Sequence, residues 1–160
     1  MNTPIVNRDL TKQAPHSPHD RIGGYVILGR TTDKCRASIA GKLGEFHYDC
    51  PLDNMLFSFK GINGAQFKAT VTSAKNYEDV ANWLQTAGTR KSPEEIKAWS
   101  NKTEALKVKD VPAMKDPEHR KSLEESCEKL GLDVETVTLF DWLDADDKAS
   151  FKKEPQLAAK

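Results

Sequence analysis

The chain has 160 residues, with 24 Lys plus Arg against 24 Asp plus Glu, 38% hydrophobic and 30% charged residues. That length suits one domain with a real core. A net charge of zero lacks the basic excess of a nucleic-acid binder, and no apolar run approaches the roughly 18 residues that a membrane helix needs.

The opening MNTPIVNRDLTK lacks the basic-then-apolar order of a secretory signal. Three widely spaced cysteines then point to reduced thiols in a cytoplasmic protein. Residues 1–22 read as an extended arm, because Pro4, Pro15 and Pro18 break any helix and no apolar period is visible. Ile5, Val6 and Leu10 are the residues that can pin the arm to the body. His16 and His19 form an H-x-x-H pair, two ligands short of a metal site, and read as exposed loop histidines. Gly23-Gly24 marks a hinge or tight turn. Neither phosphate-loop pattern, G-x-x-x-x-G-K-[ST] or G-x-G-x-x-G, accompanies it.

The pattern from Val26 to Leu43 predicts a helix closed by Gly44. Leu28, Thr32, Cys35, Ile39 and Leu43 fall on one face at helical spacing. Arg30, Asp33, Lys34 and Arg36 lie off that face, and two readings stay open for them. One is a solvated face on which Asp33 pairs with Arg30 or Arg36 at i±3. The other is the wall of a polar pocket in which Arg30, Lys34 and Arg36 bind a small anion, the planar guanidinium fork suiting carboxylate or phosphate.

Cys50-Pro51 opens the next helix, with proline at the first helical position and Cys50 at the cap. The positive end of a helix dipole favours negative charge there. Cys50 is thus a candidate nucleophile, with Tyr48 as a proton or hydrogen-bond donor, Asp33 as a further catalytic candidate and Asp53 as a ligand-site candidate. The negative charge of Asp53 in the same turn opposes a thiolate. The alternatives for Cys50 are a buried capping residue or half of an H-x-x-C metal site with His47.

Leu52 to Lys60 carries a core stripe of Leu52, Met55, Leu56 and Phe59, with Phe57 off it, and Gly61 stops it. Asn63-Gly64 marks a turn, and Ala65 to Ala74 follows as a helix with Phe67 and Val71 inward. Asn76 caps a helix through Ala87 with Val80, Trp83 and Leu84 inward. Ser92-Pro93-Glu94-Glu95 is a capping box, and Ile96, Trp99, Thr103 and Leu106 continue at helical spacing. Lys107 to Lys115 reads as a linker. Asp116-Pro117 starts a helix with Leu123, Cys127 and Leu130 inward, closed by Gly131.

Asp133 is expected to open the last helix, with Asp141, Asp144, Asp146 and Asp147 crowding its C-terminal end. Three readings are open for the acids: Asp144 or Asp146 caps a short following helix, the group pairs with the Arg30/Arg36 region, or Asp144, Asp146 and Asp147 weakly suggest a metal site. An EF-hand loop is excluded by the missing glycine and distal glutamate. Residues 152–160 read as a frayed tail. Strand signals are nearly absent, so the expected fold is mainly α: a single-domain bundle of about seven short helices over 23–151, behind the arm.

The stretch from Arg21 to Asp53 resembles the signature of a family of small bacterial proteins classed as a domain of unknown function. Gly23-Gly24-Tyr25, Arg30, Asp33-Lys34, Arg36-Ala37, Gly41, Gly44-Glu45, Tyr48 and Cys50-Pro51-Leu52-Asp53 carry the resemblance, with a closing segment from Phe140 to Phe151. The chain departs from that signature at Ile22, where leucine is expected, and at Gly29, where proline is expected. The resemblance implies a single-domain bacterial protein and brings no activity, cofactor or catalytic residue. The residues themselves suggest a protein that binds a small anionic ligand in a polar cleft, with or without catalysis. The alternative is a helical interaction protein forming a homo-oligomer through its charged helix.

Overall fold

Short apolar stripes bounded by glycine, proline and capping residues produce short helices. The computed structural model describes residues 3–151, so the tail expected over 152–160 lies outside the described residues. Seven α-helices appear among them: α1 (Leu28–Ala40), α2 (Pro51–Lys60), α3 (Gly64–Ser73), α4 (Tyr77–Thr86), α5 (Pro93–Glu104), α6 (Pro117–Leu130) and α7 (Leu139–Phe151). Two 3₁₀ turns, Val108–Asp110 and Pro112–Lys115, occupy the expected linker. The β-pairing among these residues amounts to isolated bridges at Pro4–Asn76, Ile22–Tyr25 and Lys107–Thr138. The fold is mainly α, and the described chain falls into two compact units that divide in sequence between Ser100 and Asn101.

In the first unit, α1 packs against α3 and α4. Leu28, Cys35, Leu56, Phe57, Phe67, Val71, Val80 and Leu84 share one core. The arm is tied down by backbone hydrogen bonds from Ile5 N to Lys75 O (2.9 Å), Tyr77 N to Thr3 O (3.0 Å) and Leu10 N to Lys42 O (3.0 Å). Leu10 is buried and Ile5 is half-buried, whereas Val6 is 64% exposed and pins nothing. Ile22 and Tyr25 exchange both backbone hydrogen bonds (3.1 and 3.0 Å). Between them Gly23 and Gly24 have φ of 60° and 86°. A two-residue turn with φ > 0 at both positions is one that glycine adopts without steric cost.

Three local expectations give way. Helix α1 ends at Gly41 rather than Gly44, because Gly41 takes the left-handed cap conformation (φ 70°) and Lys42 N donates to Ala37 O at 2.8 Å. Ile39, placed by periodicity on the core face, is 45% exposed. Phe57, placed off the stripe of α2, is fully buried against Phe67 and Tyr48. Helix α2 is covered on more than one side, so a single-stripe reading under-counts its core.

In the second unit, α6 packs against α7 and against the second 3₁₀ turn. Helix α7 starts six residues later than expected. Residues 133–137 form a turn instead, with Thr136 N and Val137 N donating to Asp133 O (3.1 and 2.9 Å). Thr138 caps α7 by accepting from Asp141 N (3.1 Å). Asp141 therefore sits in the first turn of α7, where negative charge suits the dipole. Asp144, Asp146 and Asp147 lie within the helix, so neither Asp144 nor Asp146 caps a following one.

All three tyrosines are held in their neutral form. Burial pushes Tyr25, Tyr48 and Tyr77 above the ordinary phenol range. The Tyr48 hydroxyl also donates to Gly64 O (2.6 Å), and that of Tyr77 to Asp33. A phenol whose folded pKa is raised stabilises the fold fully below its unfolded value of about 10, and this contribution is lost as pH climbs above that value. Stability should thus be flat up to about pH 10 with respect to tyrosine and fall above it. Tyr48→Phe and Tyr77→Phe should each make the fall shallower in urea denaturation at several pH values. A tyrosinate band at 295 nm appearing near pH 10 in the intact fold would count against this.

Candidate functional site

Helix α1 is unusual because its charged side lies inside. Arg30 and Lys34 are 3% exposed, and Thr31, Thr32 and Asp33 are at 0%. Buried charge is costly unless paired and hydrogen-bonded, and two carboxylates do that pairing here.

Asp33 serves the arm and α4 rather than the arginines of its own helix. One carboxylate oxygen accepts from His16 N (2.8 Å), lies 2.7 Å from His16 Nδ1 and sits 3.6 Å from Arg8 Nε. The other accepts from the Tyr77 hydroxyl. The pairing of Asp33 with Arg30 or Arg36 expected along the helix does not form. Arg36 instead reaches Asn7 Oδ1 (3.2 Å) and the backbone carbonyl of Ala74, which ends α3. Arg30 donates to His16 O (3.3 Å) and stands 5.6 Å from the centre of the Phe46 ring. His16 is half-buried in this network, against the exposed-loop expectation, with its ring edge-on to Tyr77.

Asp53 is the second hub, also at 0% exposure. Its Oδ1 accepts from Thr31 Oγ1 (2.6 Å) and lies 3.0 Å from Lys34 Nζ. Its Oδ2 accepts from Asp49 N (2.9 Å) and, more loosely, from Cys50 N (3.4 Å), closing the capping box at the start of α2. Cys50 is at the N-cap and half-buried, and its sulfur accepts from Lys34 Nζ at 3.2 Å. One ammonium is thus shared between a buried carboxylate and the only cysteine with solvent access. Lys34, Cys50 and Asp53 come together as one cluster. Tyr48 adjoins it through the core, with its hydroxyl committed to Gly64 O, while Asp33, Arg30 and Arg36 belong to the arm-side network. His47 is exposed.

An open cleft of about 580 Å³ lies elsewhere in the first unit, around the Gly23-Gly24 turn. Arg21, Lys91 and Lys97 line it together with Tyr25, Pro93 and Ile96, and no carboxylate is among its described lining residues. Among the described residues neither Lys91 nor Lys97 is in a salt bridge. Lys91 Nζ stands 4.8 Å above the Phe59 ring, which stacks on Trp99 at 4.7 Å. The start of α5 forms one wall. There Ser92 N donates to Glu95 Oε1 (2.9 Å) and Glu95 N to Ser92 Oγ (3.1 Å).

The loop that carries Lys91 is fixed by Lys60, a lysine with no exposed surface. Lys60 Nζ donates to Thr89 O (2.8 Å), and Thr89 N donates back to Lys60 O (2.7 Å). Burial, and then Lys91 and Arg90, push the Lys60 ammonium below its ordinary pKa. Gly88 is required at this contact, because a Cβ there would fall on Lys60 O.

A family model described as a domain of unknown function (DUF5069) matches residues 12–149. The chain belongs to that family. A search of curated proteins gives no match. The DUF5069 match spans the cleft, most of α7 and the two networks around α1 apart from Asn7 and Arg8. Among the described residues no helix is long and apolar enough to cross a membrane.

Sequence reasoning missed Arg21, Lys91, Lys97 and Lys60. They are spread over 77 positions of sequence, from 21 to 97, and each reads singly as an ordinary surface cation. The available signals were the two adjacent glycines, which demand a tight turn, and the capping box that fixes the start of α5 one residue after Lys91.

Two outcomes test the Lys34 cluster. Lys34→Met should destabilise the fold by about 3–5 kcal/mol, since it leaves a buried carboxylate uncompensated. Adding Asp53→Asn should recover part of that loss, and strictly additive losses in urea denaturation would show that the pair is not coupled. In thiol labelling, Cys50 should react in the native chain. Cys35, pushed up to about 11 mainly by burial, and Cys127, also raised by burial, should react only after unfolding. Equal labelling of all three in the folded protein would contradict the burial described.

Proposed function

We propose that this protein binds a small anionic ligand, and that the cleft around Gly23-Gly24 is where it does so. One observation carries the reading: Lys91, Lys97 and Arg21 line a cleft that has no carboxylate among its described lining residues. Lys91 and Lys97, neither in a salt bridge among the described residues, raise the local concentration of anions there. The volume falls within the few hundred to about 1,000 Å³ of small-molecule sites.

This shifts the ligand contacts away from Arg30, Lys34, Arg36 and Asp53. Those residues are bound up in the interior around α1, and we assign them to holding the arm, α1 and α2 together. The same assignment covers Asp33 and Tyr48, whose polar atoms are taken by internal partners. Cys50 keeps its standing as a candidate nucleophile through its access and its lysine partner, but binding in the cleft needs no chemistry from it. The homo-oligomer alternative rested on a charged helix facing another chain. Arg30, Asp33 and Lys34 are buried within this one, which favours the ligand reading over it.

Thermal denaturation with citrate, inorganic phosphate and phenyl phosphate tests the reading. At ten times its dissociation constant, a ligand that binds the native state adds about 1.4 kcal/mol, about 3–6 °C in Tm for a chain of this size. At least one of the three should stabilise the wild type, and the double variant Lys91→Met/Lys97→Met should lose that shift while keeping its unliganded Tm within about 2 °C. No shift with any of them, or a shift that the double variant retains, would overturn the proposal.

A further inference from the structure

The cleft has a chemical asymmetry that narrows its ligand. Besides its cations it presents an apolar floor made by Tyr25, Pro93 and Ile96. The floor is continuous with the turn: a Cβ at Gly24 would lie 3.3 Å from Ile96 Cγ2. Gly23 and Gly24 are both exposed and bring no side chain over it. A Cβ at Gly23 would be directed at Ala81, 2.7 Å away, so the bareness of the turn is fixed by packing against α4. The floor is also firm. Tyr25 is 1% exposed and meets Trp99 edge-on at 6.4 Å, and Ile96 packs against the main core.

We infer, resting on the anion-binding reading above, that the ligand is an organic anion: an apolar, ring-sized body on Ile96 and Pro93, backed by the buried Tyr25, with a terminal phosphate or carboxylate at Lys91 and Lys97. The size of the cleft suits more than a bare inorganic anion. A water molecule's share of liquid is about 30 Å³, and an ion a few times larger leaves most of the roughly 580 Å³ filled with water against apolar walls. A ring or branched chain displaces that water and gains its burial energy, while the anion supplies orientation. Pro93 and Lys97 are four residues apart on α5 and both line the cleft. One helix face therefore offers an apolar residue and a cationic one a turn apart, with about 5–6 Å between their Cβ atoms. The two lysines bind phosphate and carboxylate alike as point charges, so the shared chemistry is the terminal anion on an apolar body.

Isothermal titration of the full chain with phenyl phosphate, benzoate, inorganic phosphate and benzyl alcohol separates the terms. Phenyl phosphate or benzoate should bind at least about tenfold more tightly than inorganic phosphate, the gain expected from burying part of a ring. Benzyl alcohol should bind more weakly than either. Ile96→Thr should shrink the organic-over-inorganic preference severalfold and leave inorganic phosphate unchanged, and Lys91→Met/Lys97→Met should weaken every anion. If Ile96→Thr fails to fold, the wild-type comparison alone decides. Inorganic phosphate binding as tightly as phenyl phosphate and benzoate would overturn this inference and leave the anion-binding reading standing. No binding by any anion would remove both.

Discussion

The first unit depends on keeping charge inside. Asp33 and Asp53 have no exposed surface, yet each sits where several elements meet. Asp33 gathers the arm through Arg8 and His16 and α4 through Tyr77. Asp53 gathers α1 through Thr31 and Lys34 and closes the first turn of α2. Ion pairs of this kind add little net stability compared with a hydrophobic replacement, but they are expensive to break singly. Their effect is therefore on arrangement: an arm that slipped, or an α2 that rotated, would strand a buried carboxylate. The extended arm, with few apolar side chains of its own, is held in register by this polar constraint and by its backbone hydrogen bonds to Lys75, Tyr77 and Lys42.

The cleft is organised on a different principle. Apart from the buried Tyr25, its residues are exposed or half-buried, so its shape must come from what lies beneath. Lys60 holds Thr89 from both its side chain and its backbone, Phe59 and Trp99 stack beneath Lys91, and Ser100 Oγ donates to Gly24 O (2.7 Å). These contacts fix the loop and the start of α5 against the glycine turn. A buried lysine held by a carbonyl, with cations as its neighbours, is a costly way to anchor a loop. Its presence next to the cleft fits a site whose positive charge is kept at some expense to stability.

The helices were legible because their boundaries are written locally. Cys50-Pro51, Asn76, Ser92-Pro93 and Asp116-Pro117 each start a helix where capping chemistry places it, and Asn63, read as part of a turn, caps α3 one residue earlier than expected. Gly61 and Gly131 end helices in the left-handed conformation. What was illegible is tertiary. Periodicity assigns a helix one inner face, and α1 has two, because the arm and the start of α2 cover its charged side. The spacing of Arg30, Asp33 and Arg36 suggests a ladder along the helix, but a partner 17 residues away in the arm offers Asp33 better donors. Thr138 is an ordinary N-cap, passed over because Asp133 offered a stronger-looking one. The cleft was invisible for the same reason as the second face of α1: its residues come from three segments that only the fold brings together.

The two regions are joined by four residues, Tyr25 to Leu28, and the join is strained. Ile27 has φ 74° and is fully buried. A β-branched side chain tolerates that conformation poorly, at a cost of about 1–3 kcal/mol. Ile27 N donates to Pro18 O (3.0 Å), and Ile27 O accepts from Thr31 N to begin α1. The strain lets the chain turn at once from the floor of the cleft into a helix whose charged side must face inward. A relaxed residue there would redirect either Tyr25 or Arg30. Gly29 lies at the same place: a Cβ there would lie 3.0 Å from Ile22 Cδ1 and 3.3 Å from His16. Ile22 begins the cleft turn, and His16 carries the hydrogen bonds to Asp33. Gly29 thus gives its space to both, so the shape of the cleft and the seating of the polar core are set by the same few atoms.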